Sequence, residues 1–188
     1  MPTRAMASRK IRSNHPTFGL KRNAFMKVTL SIIEHNDADT ISLTRNNVKK
    51  MMRGITDYCA NDKHVYYTPS RRKKTYFFSK NAWELRDSTE KGVLVGDHCV
   101  PLKSIIDYIV EHKRKGTTSN FEMKRFLEYH LAIVMITKEE NDLLRSSGLN
   151  SEMPEGWDYF GDRYARYVKL GIELAEESKG NDLKKKTT

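Results

Sequence analysis

Cysteine is scarce in this chain of 188 residues: there are two, Cys59 and Cys99, far apart and in no Cys-x-x-Cys pair. That excludes a disulfide framework, argues against a zinc knuckle, and fits a reducing, cytoplasmic setting. Long apolar runs are missing too. The longest, Leu131 to Ile136, is far too short to span a bilayer, so no membrane partner is expected. The N-terminus is basic but no apolar segment follows it, which excludes a secretory signal. No Gly-rich phosphate loop, Gly-x-Ser-x-Gly elbow, internal repeat or acid pair at glycosidase-like spacing occurs. Acidic residues are absent from positions 1–33, where seven basic side chains lie.

What is there is positive charge, and it is clustered. Thirty-four Lys and Arg face twenty-four Asp and Glu, a formal net charge of +10. Arg9, Lys10 and Arg12 lie in the N-terminal arm, Arg71-Arg72-Lys73-Lys74 form one block, and Lys184 to Lys186 another. Clustered cations are the electrostatic footprint of a polyanion partner, here DNA, with RNA left open. The blander reading is a soluble cationic protein with frayed basic tails.

The patterning predicts an α+β fold: a helix-rich chain with a small ββα-type motif, a helical insertion between its two strands, and a basic helical region ahead of it. Residues 1–20 read as a flexible basic arm and 21–78 as a helical and hairpin nucleic-acid-binding region. Residues 79–175 hold the candidate catalytic region, and 176–188 read as a disordered basic tail. Helices are expected over 22–35, where Val28 to Ile32 also fits a strand, and over 44–58, broken by Asn36 to Asp39. In the second of these Lys49, Lys50 and Arg53 turn outward from an apolar stripe. β-branched and aromatic residues around the Arg71–Lys74 block predict a hairpin over 64–78. Leu102, Ile105, Ile106, Ile109 and Val110 give a helical stripe, and Ser119 with Glu122 opens a further helix. Leu131 to Ile136 reads as a buried strand. Thr137 with Glu140 then forms a capping box, and Gly148 stops the helix. An amphipathic helix bearing Tyr164, Tyr167, Val168 and Ile172 is expected near the end, its aromatic residues serving for packing.

The chemistry concentrates in Gly92-Val-Leu-Val-Gly-Asp-His-Cys-Val-Pro-Leu102, where an apolar strand ends in Asp97-His98 with Pro101 close behind. A carboxylate beside an imidazole supplies a metal ligand and a base, the two roles that phosphodiester hydrolysis needs. About forty residues on, Leu131-Ala-Ile-Val-Met-Ile-Thr-Lys-Glu-Glu-Asn141 passes from a strand into a capped helix bearing an amide. The Asp-His-Cys-Val-Pro-Leu run resembles the first motif of the His-Me finger, or HNH, endonucleases, and the Ile-Thr-Lys-Glu-Glu-Asn run resembles their third. The resemblance is specific over about twenty residues. It implies a metal-dependent DNA endonuclease in which His98 is the general base, while Asp97 and Asn141 hold one Mg²⁺ or Mn²⁺. The family's middle residue, which orients the base, has two candidates here, Asn120 and His130; His130 would also serve as a spare ligand or phosphate contact. Two copies would pair for double-strand cleavage.

Two other readings compete. One is a non-catalytic nucleic-acid-binding protein in which the N-terminal helices do the reading and Asp97-His98 is incidental. The other is a basic scaffold or inhibitor that binds an acidic partner.

Overall fold

A computed structural model describes residues 17–57, 77–88, 90, 92–116 and 119–175. The expected hairpin over 64–78, apart from Phe77 and Phe78, lies outside them, as do the N-terminal arm to residue 16 and the tail from 176. The fold is α+β. Among the described residues three helices come first: α1 (Thr17–His35), α2 (Ala38–Leu43) and α3 (Arg45–Asp57). Then follow β1 (Phe77–Phe78), α4 (Lys80–Glu84), β2 (Leu94–His98), α5 (Leu102–Lys115), α6 (Asn120–His130), β3 (Ile133–Thr137), α7 (Lys138–Ser146) and α8 (Ala165–Lys169).

Among the described residues the strands form one three-stranded sheet in the order β1-β3-β2. β3 runs antiparallel to β2 and parallel to β1, so it is the central strand. All of its residues after Ile133 are buried, as befits a strand with a neighbour on each edge. β2, β3 and α7 make a strand-strand-helix unit, with α5 and α6 inserted between the two strands as expected. The pairing continues past β2, where the Cys99 N–H donates to the Ala132 carbonyl at 2.9 Å.

Local chemistry explains most of the boundaries. In α5 the predicted apolar stripe is buried at every position. Its end is set by Gly116, whose φ of 67° suits a residue without a Cβ and whose N–H caps His112 and Lys113. The basic last turn, His112 to Lys115, matches the negative end of the helix dipole. The Thr137–Glu140 capping box is formed in both directions at the start of α7. Glu140 does more than cap: it is buried, its Oε2 accepts from the Ser79 hydroxyl at 2.6 Å, and its Oε1 accepts from the Asn81 amide at 3.1 Å. One carboxylate thus ties the β1–α4 corner to the β3–α7 corner.

Two local expectations differ from the structure. The Asn36–Asp39 break is also a start, because Asp37 accepts from the Thr40 N–H at 2.7 Å and caps α2. The C-terminal helix is five residues, α8, and it stops at Gly171, whose φ of 68° and whose N–H to the Val168 carbonyl cap it before Leu174 pairs with Ser79 beside β1. Val168, expected on the apolar face, is 68% exposed.

The largest apolar cluster joins the two helical segments of the chain. Met26, Ile33, Ile41, Val48, Met52 and Ile55 from α1–α3 pack with Ile105, Ile106, Ile109, Met123 and Leu127 from α5 and α6. The basic N-terminal helices and the helices inserted between β2 and β3 therefore share a core across the 78/79 division drawn from the sequence. This sharing brings α3 to the end of β2. Among the described residues, no helix is long and apolar enough to cross a membrane.

Candidate functional site

Asp97 and His98 are the last two residues of β2, paired with Val134 and Ile133 of β3. Directly opposed residues share a face of the sheet and neighbours alternate, so the two side chains leave on opposite faces. Asp97 shares its face with Val134 and Ile136, which α7 covers through Leu144 and α8 through Tyr167. His98 shares the other face with Leu94 and meets the C-terminal turn of α3.

On the His98 side, Thr56 is 1% exposed, and its Oγ1 lies 3.3 Å from His98 Nε2. The Thr56 hydroxyl donates its one proton to the Arg53 carbonyl at 2.9 Å. It can therefore only accept from the imidazole, so Nε2 carries the proton and Nδ1 the lone pair. Nδ1 has no hydrogen-bond partner among the described residues. Burial drives the imidazole pKa down to about 4, and the positive charges of Arg53 and Arg166 push the same way. His98 is thus a neutral ring at neutral pH with its basic nitrogen uncommitted, free to accept a proton but weaker as a base than an imidazole that titrates near neutrality. Arg53 is exposed on α3 beside it.

Asp97 is differently placed. Its Oδ2 accepts from Arg166 Nη2 at 2.5 Å and from the Tyr167 hydroxyl at 2.7 Å. Arg166 has no exposed surface. It donates to the Cys99 carbonyl at 3.1 Å, to the Leu149 carbonyl at 2.5 Å and to the His98 carbonyl. A charge this deep has to be matched and its donors satisfied, and Asp97 with the three carbonyls does both. The guanidinium joins the end of β2, the turn after α7 and α8.

This arrangement bears on the divalent ion implied by the resemblance. Asp97 and Asn141 would be its ligands, and the donor set does not fit one. The Asp97 charge is already neutralised by an arginine that four hydrogen bonds hold in place, and a dication beside it would meet that positive charge. Asn141, half-buried on α7 with no side-chain hydrogen bond among the described residues, adds only one neutral oxygen. Among the described residues, no group of three or more His, Cys, Asp or Glu converges to hold a metal.

The remaining candidates separate. Asn120 is exposed at the first position of α6. His130, 1% exposed, donates from Nε2 to the Tyr159 carbonyl at 2.8 Å, and its ring packs with Phe126, Tyr129 and Trp157. Neither touches His98, and the side chain that orients the imidazole is Thr56. Lys49 and Lys50 lie with Arg53 on the outer side of α3, whose inner side is Val48, Met52 and Ile55. Arg9, Lys10, Arg12 and Arg71 to Lys74 fall outside the described residues.

Sequence reasoning missed Thr56 and Arg166. Nothing in the local pattern marks Thr56, whose role depends on a contact forty-two positions away. Arg166 did carry a signal: an arginine between aromatic residues in Tyr164-Ala-Arg-Tyr167 sits where a helix turns inward, and a buried arginine requires an acid. The chain matches no protein-family model, no curated protein and no solved structure.

Proposed function

We propose that this protein binds nucleic acid across the outer side of α3 and the adjoining end of β2, and that His98 is the base of a phosphodiester-cleaving site there. The observation that carries the reading is the junction of α3 with Asp97-His98. One helix presents Lys49, Lys50 and Arg53 outward and, through Thr56, fixes the tautomer of the one neutral imidazole at the strand end.

In this reading Nδ1 of His98 takes the proton from a water, whose oxygen attacks phosphorus as the ester P–O bond breaks; the leaving alkoxide takes a proton from solvent water, and the imidazolium returns its proton to solvent. Arg53 supplies positive charge where the equatorial oxygens gain negative charge. Thr56 acts through His98 as a positioning residue. The Asp97–Arg166 pair holds the strand end rigid. No step is assigned to a metal, because the donor set does not suit one.

A second reading is favoured by the occupied state of Asp97: binding without cleavage, with the ββα unit serving as scaffold. One experiment separates the two. Plasmid and single-stranded DNA are incubated with wild type, His98→Ala and Thr56→Val, in Mg²⁺, in Mn²⁺ and in EDTA, with binding measured in parallel. The cleavage reading expects cutting that falls at least about 100-fold in His98→Ala with binding retained. Binding in every variant with no cutting by wild type in any condition gives the second reading. Cutting abolished by EDTA would overturn the assignment of the chemistry to His98 and Arg53 alone.

A further inference from the structure

A feature of the helical side of the molecule stands apart from the residues around Asp97 and His98, neither of which lines it. A cavity of about 750 Å³ opens between α5, α6 and the loop before α8. Its walls are mainly aromatic. Tyr108 stacks on Phe126 with centroids 3.9 Å apart and planes at 18°, and Tyr159 closes on Tyr108 at 4.5 Å. Phe160 stands at the mouth, 82% exposed, and Tyr129 is 46% exposed. Aromatic side chains this exposed leave ring surface in water that a planar partner would cover.

The polar groups narrow the choice of partner. His130 lines the cavity, and because Nε2 donates to the Tyr159 carbonyl, Nδ1 is a hydrogen-bond acceptor. That Nδ1 is buried and has no partner among the described residues. An unmet buried acceptor is costly, so a ligand bringing an N–H to it would be favoured. The ring stays neutral at neutral pH, its pKa lowered to about 4 chiefly by burial, and so remains an acceptor. On the rim, Arg125 makes no ion pair among the described residues, and Lys115 is held only by an exposed pair with Glu111. One acid, Glu122, also lines the cavity, with Ser119 donating to its Oε2.

We infer that this cavity is a binding site for an unpaired nucleobase, which stacks on the exposed aromatic rings while its phosphate lies against Arg125 and Lys115. A planar ring, an N–H donor at its edge and an attached anion are the three features the walls ask for, and a nucleotide has all three. Base stacking on aromatic side chains with backbone charge on nearby cations is the general mode of single-strand recognition. The inference rests on the nucleic-acid reading above and deepens it: the ligand is single-stranded, or a duplex with a base turned out. A paired base has no free ring to offer.

The test uses the full chain and three probes: thymidine monophosphate by calorimetry, and a short oligothymidylate and a duplex of equal length by fluorescence anisotropy. Each is titrated into wild type, Phe160→Ala, Arg125→Glu and Arg53→Glu. All three substitutions fall on exposed side chains. The inference expects single strand to bind more tightly than duplex. Phe160→Ala and Arg125→Glu should each weaken single-strand binding by about 10-fold or more and abolish mononucleotide binding, with duplex binding changed less than about 2-fold. Single-strand binding that falls in Arg53→Glu but is unchanged in Phe160→Ala and Arg125→Glu overturns the cavity while leaving the α3 reading intact. No binding of any probe overturns both. Mononucleotide binding in a protein that cuts nothing supports the cavity and leaves only cleavage refuted.

Discussion

Asp97 was legible in the sequence as an acid beside a histidine, but the partner that decides its role was not, because Arg166 lies sixty-nine positions away. Removing that partner is the sharpest single-residue test of the network. Arg166→Met fills similar volume yet leaves Asp97 without its cation and three carbonyls without a donor, so it should cost about 3–5 kcal/mol. Asp97→Asn keeps an oxygen for Tyr167 and should cost less. Urea unfolding of the two variants checks this, and a loss under about 1 kcal/mol for Arg166→Met would show that the pair is not what holds the strand end. His98 makes a prediction of opposite origin. In the unfolded chain an imidazole protonates near pH ~6.5, whereas in the fold His98 stays neutral down to about 4. Between those values the unfolded state binds more protons, so the stability present above pH ~6.5 is lost as pH falls toward ~4, by up to about 3 kcal/mol from this residue. His130 shifts in the same direction. Comparing urea midpoints of wild type and His98→Gln near pH ~7 and ~5 reads the effect. Equal pH dependence in both proteins would mean that His98 is not buried as a neutral base.

α1 begins at Thr17, five residues ahead of the expected Arg22, but the helices with a full apolar stripe, α3 and α5, were legible to within a residue or two, since each buries one face and the 3.6-residue period shows which. Elements defined by a distant partner were not. β1 is two residues long and exists because Phe77 and Phe78 pair with Val134 and Met135, and the chain after α8 turns at Gly171 to reach the Ser79–Leu174 bridge. Between those cases stands the contact of α1 with α3, which the sequence marks only by a glycine. Gly54 is buried inside α3, and a Cβ there would stand 2.5 Å from Phe25 Cδ1. Two effects compete in Gly54→Ala. Alanine favours a helix interior over glycine by about 1 kcal/mol, while forcing atoms into a packed contact costs about 1–3 kcal/mol. The clash reaches Cγ of Phe25 as well as the ring edge, so rotation of the ring tip does not relieve it. Overpacking should win, and the thermal midpoint should fall. The shift would also move Thr56 and Arg53 relative to His98, so any activity of the site should drop further than in a surface variant of equal stability. A midpoint that rises would show that α1 yields easily and that α3 is not fixed by this contact.

At the scale of the molecule, a net charge of +10 was plain from composition, but composition does not say which face carries a polyanion. The fold narrows it, because α3 is pinned by Val48, Met52 and Ile55 into the core shared with α5 and α6, which leaves Lys49, Lys50 and Arg53 on the outer side next to β2. Phosphate contacts release counterions, so the dependence of affinity on salt counts them: the slope of log K against log salt is about −0.9 per phosphate on duplex and about −0.7 on single strands. Replacing Lys49, Lys50 and Arg53 together by Ala should therefore flatten the slope by about 2–3 on duplex if all three touch phosphate. Stability should change little, since none of the three is buried. Affinity lost with no change in slope would point to a folding defect rather than to lost phosphate contacts. A slope that stays at the wild-type value with affinity also unchanged would remove α3 from the binding face. The polyanion would then have to meet other cations, and the argument that links the basic helix to His98 through Thr56 would lose its substrate.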